Sequence, residues 1–417
     1  MQDRCQKIGT NLAEKREIVS QSLKRVLDYK KFSSEKARIL IIDTPYFLVK
    51  EVISACYKLN WPIYRLRLSD LEKGSNEFIK RLIWALINFK PDFLLTINHF
   101  GFDEEGKLTE LLTEFKIPFA SWFVDNPFFI LRNYQKQISC YLFIFLWDGS
   151  YRKILQKNGF ENIAILPLAT DISRFYPEKF SLNPLASEKC QLSFVGNSMI
   201  YGIKKEMAFL ASEYKAIKQA ENLGKKIGIK KAKTGEIVLI NFENSFSLNE
   251  DQKIHFWALT TWKASQIYRI ESLKAISKLG LRVYGDPGWK NFKIFSYYRP
   301  LNYYTELPYF FNVSEININI TSIQMPEAIN QRVFDVSACG SFIITDYQKQ
   351  LEELFCLKEE IVCFRNKDEL FELCKFYLKH PEKRQKKAIK ARERVIKEHT
   401  YELRLKNMVK EMKRVFG

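Results

Sequence analysis

Two acids eight residues apart, Glu327 and Asp335, carry the most pointed chemistry in this sequence. Pro326 stands just before them. Its missing N–H costs nothing at the first position of a helix, so the pattern predicts a helix from Pro326 through Asp335 that stops at Gly340. The first turn of such a helix offers free N–H groups and the positive end of a dipole, a seat for phosphate. Glu327 would lie in that turn, with Asn330, Gln331 and Arg332 behind it and Asp335 about 12 Å along the axis. Gln331 and Asp335 share a face at i, i+4. A nucleotide-sugar laid along this helix would put its sugar at Glu327, its diphosphate on the N-terminus and its ribose at Asp335. The plainer alternative is an amphipathic helix whose Glu327 only complements the dipole.

The remaining candidates stand at the ends of apolar runs. Gly196-Asn197 permits close backbone approach to a ligand, or makes a plain turn. Tyr284, Gly285, Asp286 and Trp289 fall in a YGDPGW segment that could hold a base, with Tyr284 or Trp289 stacking; the alternative is a turn with a core aromatic. His99 and Asp125 end neighbouring runs in the first half. Either is a candidate general base for an acceptor hydroxyl. A structural histidine and an Asx-type turn before Asn126-Pro127 are the alternatives. The chain has no D-x-D pair and no H-E-x-x-H, G-x-x-x-x-G-K-[ST] or G-x-G-x-x-G motif. A phosphate leaving group would then be met by backbone N–H groups and by cations. Arg332 is the best placed of these, with Lys205 and Arg269 as further candidates. No metal and no cofactor are expected; the nucleotide-sugar is a substrate.

The run NVSEININITSIQMPEAINQRVFDVSACGSFIITD resembles the C-terminal signature of the CgeB or spore-maturation-protein-like family, a group of GT-B glycosyltransferases. Within it, Glu327-x7-Asp335 resembles the E-x7-E motif of retaining GT-B enzymes, with an Asp in the second place. The resemblance extends to YGDPGW (284–289), NYYTELP (302–308), LSFVGN (192–197), WFVDNP (122–127) and LPLATD (166–171), so it covers both halves of the chain. It implies that Glu327 contacts the donor sugar and that Asp335 lies toward the ribose. It also implies a metal-independent, retaining hexosyltransferase-like enzyme. The acceptor would be a protein, a surface polysaccharide or a lipid-linked glycan. A second reading keeps the fold without catalysis, as a structural or binding protein of spore or cell-surface assembly.

The elements that must position these residues follow from periodicity. RILIID (38–43), Ile63–Leu68, Phe93–Asn98, Pro118–Val124, Tyr141–Trp147 and Ile163–Pro167 are apolar runs of strand length separated by helical stretches. That pattern predicts a parallel sheet buried on both faces. A second series starts at Gln191–Val195 and resumes at Leu281–Tyr284, Ile316–Thr321, Ser341–Thr345 and Ile361–Phe364. The expected fold class is α/β, a GT-B fold of two Rossmann-like doubly wound domains facing across a cleft. The segments are an N-terminal helical piece (1–36), an acceptor-side domain (37–175) and a donor domain (188–385) with a helical insert at about 204–278. Tyr401, Leu405, Met408, Met412 and Val415 recur as an apolar stripe on a basic C-terminal helix (386–417); the resemblance to GT-B enzymes implies that this helix packs back on the first domain.

With 417 residues, 46% hydrophobic and 14% aromatic, the chain has ample core for two domains and is no disordered polymer. The start is polar, no run reaches the ~20 residues of a membrane span, and eight scattered cysteines form no C-x-x-C pair. A reduced, cytoplasmic protein is the expectation. The formal net charge is +18; residues 375–417 alone hold 15 Lys/Arg against 5 Glu. Such a bias suits anionic partners (lipid headgroups, nucleotide phosphates or nucleic acid), with a peripheral membrane contact through the basic C-terminal helix as one expectation; the plainer alternative is a solvated lysine-rich surface. Nucleic acid ranks last, because the lysines lie along helices rather than among aromatics on a sheet.

Overall fold

The computed structural model describes residues 21–68, 75–131, 134–178, 182–236 and 248–417. Most of the expected N-terminal helical piece (1–20) lies outside the described residues. The chain divides into two compact units. The first holds the described residues up to Trp147, with Tyr151–Leu166 and Leu405–Gly417; the second holds Asp148–Ser150 and Pro167–Arg404.

The first unit runs β1 (Ile39–Asp43), α1 (Val49–Lys58), β2 (Ile63–Arg67), α2 (Asn76–Phe89), β3 (Phe93–Ile97), α3 (Lys107–Glu114), β4 (Phe119–Phe123), β5 (Leu142–Leu146), α4 (Arg152–Lys157) and β6 (Asn162–Ile165). Its sheet is wholly parallel, in the order β2-β1-β3-β4-β5-β6. Every residue of β3, β4 and β5 is buried, as strands covered on both faces must be.

The second unit carries β7 (Cys190–Val195) and then three helices of the insert: α5 (Ile200–Phe209), α6 (Tyr214–Thr234) and α7 (Glu250–Ile276). It continues with β8 (Leu281–Tyr284), β9 (Ser296–Tyr298), β10 (Ser314–Asn319), α8 (Gln331–Ala338), β11 (Ile343–Asp346), α9 (Gln350–Leu354) and β12 (Val362–Phe364). Then come α10 (Lys367–Lys379), α11 (Pro381–Glu398) and α12 (Tyr401–Phe416), of which only residues up to Arg404 count with the second unit. The parallel order is β12-β11-β10-β7-β8-β9, which is the doubly wound Rossmann arrangement. Of the expected docking stripe, Tyr401, Leu405, Met408 and Met412 are fully buried, while Val415 is more than a third exposed. Leu405 onward counts with the first unit, where Phe416 stacks on Tyr141.

The insert is built on a close helix pair. Ala220, Gly224, Gly228 and Ala232 recur every four residues along the buried face of α6. A Cβ on Gly224 would stand 2.7 Å from the Thr260 carbonyl oxygen of α7, and one on Gly228 would stand 2.6 Å from that of Ala264. Glycine weakens a helix interior, but here it lets two backbones approach closely. An Asn249–Gln252 capping box starts α7.

Candidate functional site

In a doubly wound sheet the ligand crevice opens at the carboxyl ends of the two strands where the order reverses. In the second unit these are β7 and β10. The loops leaving them are Gly196-Asn197-Ser198 and 320–330, the latter carrying Glu327.

The expected helix from Pro326 does not form. The helix α8 begins at Gln331, capped by the Asn330 side chain, which accepts the Arg332 N–H at 3.1 Å. Residues 326–330 stay irregular because their N–H groups find other acceptors. Asp148 Oδ2 takes the N–H of Glu327 at 3.0 Å and of Ala328 at 2.9 Å. Gln350 Oε1 takes that of Ile329 at 3.1 Å. Asp148 is fully buried, and its Oδ1 accepts from the Ser150 N–H and hydroxyl. Glu327 therefore sits on a clamped loop ahead of the helix rather than in its first turn. Its side chain is 34% exposed, with Lys349 Nζ at 3.6 Å.

Behind Glu327 lies a polar network rooted in the sheet. Asn319 Oδ1, at the end of β10, accepts from Arg332 Nη1 at 2.7 Å and from Asn330 Nδ2 at 2.9 Å; its own Nδ2 donates to Thr345 Oγ1. Arg269 of α7 donates through Nη1 to the Asn197 carbonyl at 2.7 Å, and its buried Nε has no hydrogen-bond partner among the described residues. Burial lowers the Arg332 guanidinium to about 10, and burial with the nearby Arg332 charge lowers Arg269 to about 9. Both remain cationic at neutral pH, and among the described residues neither makes an ion pair. Asp346, also buried, is held by the Thr321 N–H and hydroxyl; burial raises its carboxyl. Lys205 stands exposed on α5.

Asp335 does not face an open crevice. It is 1% exposed; Thr170 Oγ1 donates to its Oδ1 at 2.6 Å and Tyr303 Oη donates to its Oδ2 at 3.0 Å. Gln331 Nε2 donates to the same tyrosine hydroxyl. The acid expected at the ribose thus ties α8 to the segments carrying Thr170 and Tyr303.

The expected base-stacking face is not there either. Tyr284 is fully buried, packed on Tyr298 and Phe310, with its hydroxyl on Glu188 at 2.8 Å. Trp289 is core, edge-on to Phe194 and Phe295, with Nε1 donating to the Gly196 carbonyl at 2.7 Å. Gly196 donates its N–H to the Tyr284 carbonyl, and a Cβ on Gly285 would fall 2.1 Å from the Gly196 oxygen. Asp286 accepts the Ser198 N–H and hydroxyl, each at 2.6 Å, and the Gly288 N–H. The YGDPGW segment therefore fixes the loop after β7. Around it Asn197, Pro287 and Lys290 are exposed, while Tyr284 and Trp289 are not.

In the first unit, His99 is no free base. Gln137 Oε1 lies 3.0 Å from its Nε2 and already accepts from Thr109, while Gln137 Nε2 donates to the Asp103 carbonyl. That orientation makes Nε2 the protonated nitrogen and leaves Nδ1 to accept from Ser121 Oγ at 2.6 Å. Burial lowers the ring to about 4. Asp125 accepts from the Tyr46 hydroxyl and from Asn98 Nδ2, and Asn98 Oδ1 in turn takes the Val124 N–H. These bonds join β1, β3 and β4 at their carboxyl ends.

The insert reaches the site. Lys231 of α6 and Tyr268 of α7, with Thr321, Met325, Pro326 and Gln348, line a small open pocket next to the Glu327 loop. Gln348 is 2% exposed, and among the described residues its Oε1 has no hydrogen-bond partner. Asp148, Asn319, Tyr303 and Gln350 were not among the candidates from sequence. Asp148 was legible only as a polar residue at a strand end, and Asn319 only as a polar residue alternating within an apolar run.

Residues 268–410 match a family model described as glycosyl transferase-like. No curated protein matches the sequence. Among solved structures, sucrose-phosphate synthase from Thermosynechococcus elongatus superposes with a TM-score of 0.55 at 9% identity, covering 91% of this chain and 99% of that one. Anabaena Alr3699/HepE in complex with UDP-glucose gives 0.53 at 6% identity, covering 91% and 100%. With its two six-stranded parallel sheets, the chain has the GT-B fold.

Proposed function

We propose that the chain is a glycosyltransferase that moves a sugar from a nucleotide-diphosphate donor to an acceptor hydroxyl. The observation that carries this reading is the pair Arg269 and Arg332. Two cations that make no ion pair among the described residues are held at the switch point of a Rossmann unit, beside a clamped loop bearing a partly exposed carboxylate. Cleavage at the anomeric carbon leaves charge on the diphosphate, and preorganised guanidiniums stabilise it without rearrangement. In this reading Glu327 orients the sugar, and a sugar hydroxyl satisfies the lone Gln348 Oε1. The reaction needs no metal and proceeds with retention, the leaving phosphate taking the acceptor proton. That route suits a first unit whose His99 is neutral and doubly bonded.

Alr3699/HepE was crystallised with UDP-glucose, which makes UDP and UDP-glucose the first probes. Thermal-shift screening against nucleoside diphosphates, followed by an assay for release of nucleotide from the donor, tests the proposal. Stabilisation by at least one nucleoside diphosphate and slow donor hydrolysis are expected. The absence of any shift would remove the enzyme and leave only the fold.

A further inference from the structure

The C-terminal helices, where the basic run suggested a membrane contact, spend many of their cations internally. Arg384 pairs with Glu315 at 3.0 Å, Lys390 with Glu359 at 2.6 Å, Arg394 with Glu360 at 3.1 Å and Arg414 with Glu411 at 2.9 Å. The insert helix α6 differs. One face is the small-residue seam against α7; the other presents Lys215, Lys218, Lys225, Lys226, Lys230 and Lys233, all exposed. Lys230 reaches Glu236 at 2.6 Å, and among the described residues the other five make no ion pair. The only acid on α6, Glu221, faces Lys263 of α7 at 3.7 Å. From Lys215 to Lys233 the stripe is about 27 Å long. Tyr214 opens it, 63% exposed, with Lys218 Nζ 4.6 Å from its ring centre.

We infer that this face of α6 docks on an anionic lipid surface. Nothing in the packing of the insert requires the lysines: the seam is complete without them. Like charges on one helix face repel, so the stripe lowers helix stability unless something negative covers it. Lysine, a point charge on a flexible stem, suits the diffuse field of headgroups. Bidentate, planar phosphate recognition is the province of arginine, and the stripe has none. An exposed tyrosine at its end suits the headgroup layer. Among the described residues no helix is long and apolar enough to cross a membrane, so the contact is peripheral. The inference stands independently of the glycosyl-transfer reading.

The test is co-sedimentation of the full chain with vesicles of phosphatidylcholine alone and of phosphatidylcholine with phosphatidylglycerol. Binding is expected only to the anionic vesicles, and it should be lost at high salt. Replacing Lys215, Lys218, Lys225 and Lys226 by Glu should weaken it at least about a hundredfold, since each surface lysine contributes about fivefold. The same four changed to Gln provide a second variant that keeps helix propensity. Changing Lys383, Lys386 and Lys397 on α11 should leave binding nearly intact. Equal binding to neutral vesicles, undiminished binding by the α6 variants, or preference for a duplex DNA oligonucleotide over the anionic vesicles would each overturn the inference.

Discussion

Asp148 Oδ2 accepts the backbone N–H of Glu327 at 3.0 Å, across 179 residues of chain. With Ala328 on the same oxygen and Ser150 supplying two donors to the other, this buried carboxylate meets four donors and needs all its acceptor capacity. An amide in its place would turn an NH2 toward donors on one side. Asp148→Asn should therefore destabilise the protein by about 1–3 kcal/mol and Asp148→Ala by about 3–5 kcal/mol, because buried N–H groups lose their partner. Both should also weaken the response to nucleotide by loosening the loop. Urea midpoints and nucleotide thermal shifts measured together check this; an Asn variant as stable as the parent would contradict it.

Glu327 itself is about a third exposed, with Lys349 at 3.6 Å, so its side chain contributes little to the fold. Glu327→Gln should change stability by less than about 0.5 kcal/mol. It should lower donor turnover by about 10²-fold or more if the carboxylate meets charge developing on the sugar. Stability and turnover thus separate at this position and move together at Asp148. Full turnover by Glu327→Gln would take this residue out of the mechanism.

The sheet was legible in the sequence because parallel strands buried on both faces read as unbroken apolar runs: FLLTI, FASWF and LFIFL need no partner to be recognised. The same property hid the directions of the side chains that follow them. Nothing local says that Tyr284 and Trp289 turn into the core rather than toward a base. The helix start was misplaced because Pro326 is a sound local signal, whereas the acceptors that keep 326–330 irregular come from Asp148 and Gln350. Asp335 has the right spacing, but Thr170, 165 residues away, claims one of its oxygens. The site was not legible wherever its partners were distant in sequence; of the residues named from sequence, Asn197 lies on the loop after β7 and Arg332 in the first turn of α8.

His99 and His399 make the pH dependence predictable. Both are neutral and hydrogen-bonded through both nitrogens: His99 to Ser121 and Gln137, and His399 to the Leu354 carbonyl and Arg404 Nη2. Burial lowers each to about 4, aided at His399 by the Arg404 charge. Between about 4 and the unfolded value near 6.5 the unfolded chain binds more protons, so stability rises with pH. The contribution is complete above about 6.5 and is lost as pH falls toward 4, by about 3 kcal/mol for His99 alone. Unfolding midpoints across this range should show a steeper loss for the parent than for His99→Gln. The variant should keep the parent's pH–rate profile near neutrality, since His99 is not the base; a displaced profile would return it to the mechanism.

Arg269 and Arg332 should show opposite signs in stability and in binding. Among the described residues neither makes an ion pair, and each guanidinium is held by neutral oxygens. Burying such a charge costs stability that an apolar side chain of similar volume does not. Arg269→Met and Arg332→Met should therefore leave the ligand-free protein as stable as the parent or more so. Neither leaves a stranded group of consequence: Asn197 is exposed, and Asn319 Oδ1 keeps Asn330 Nδ2. A nucleoside diphosphate at a hundred times its Kd should stabilise the parent by about 2.7 kcal/mol. A tenfold to hundredfold loss of affinity in each variant, about 1.4–2.8 kcal/mol, would erase much of that gain. Melting curves with and without UDP decide the matter. Variants that melt early alone yet still respond fully to UDP would show that the two guanidiniums serve the fold and not the phosphate.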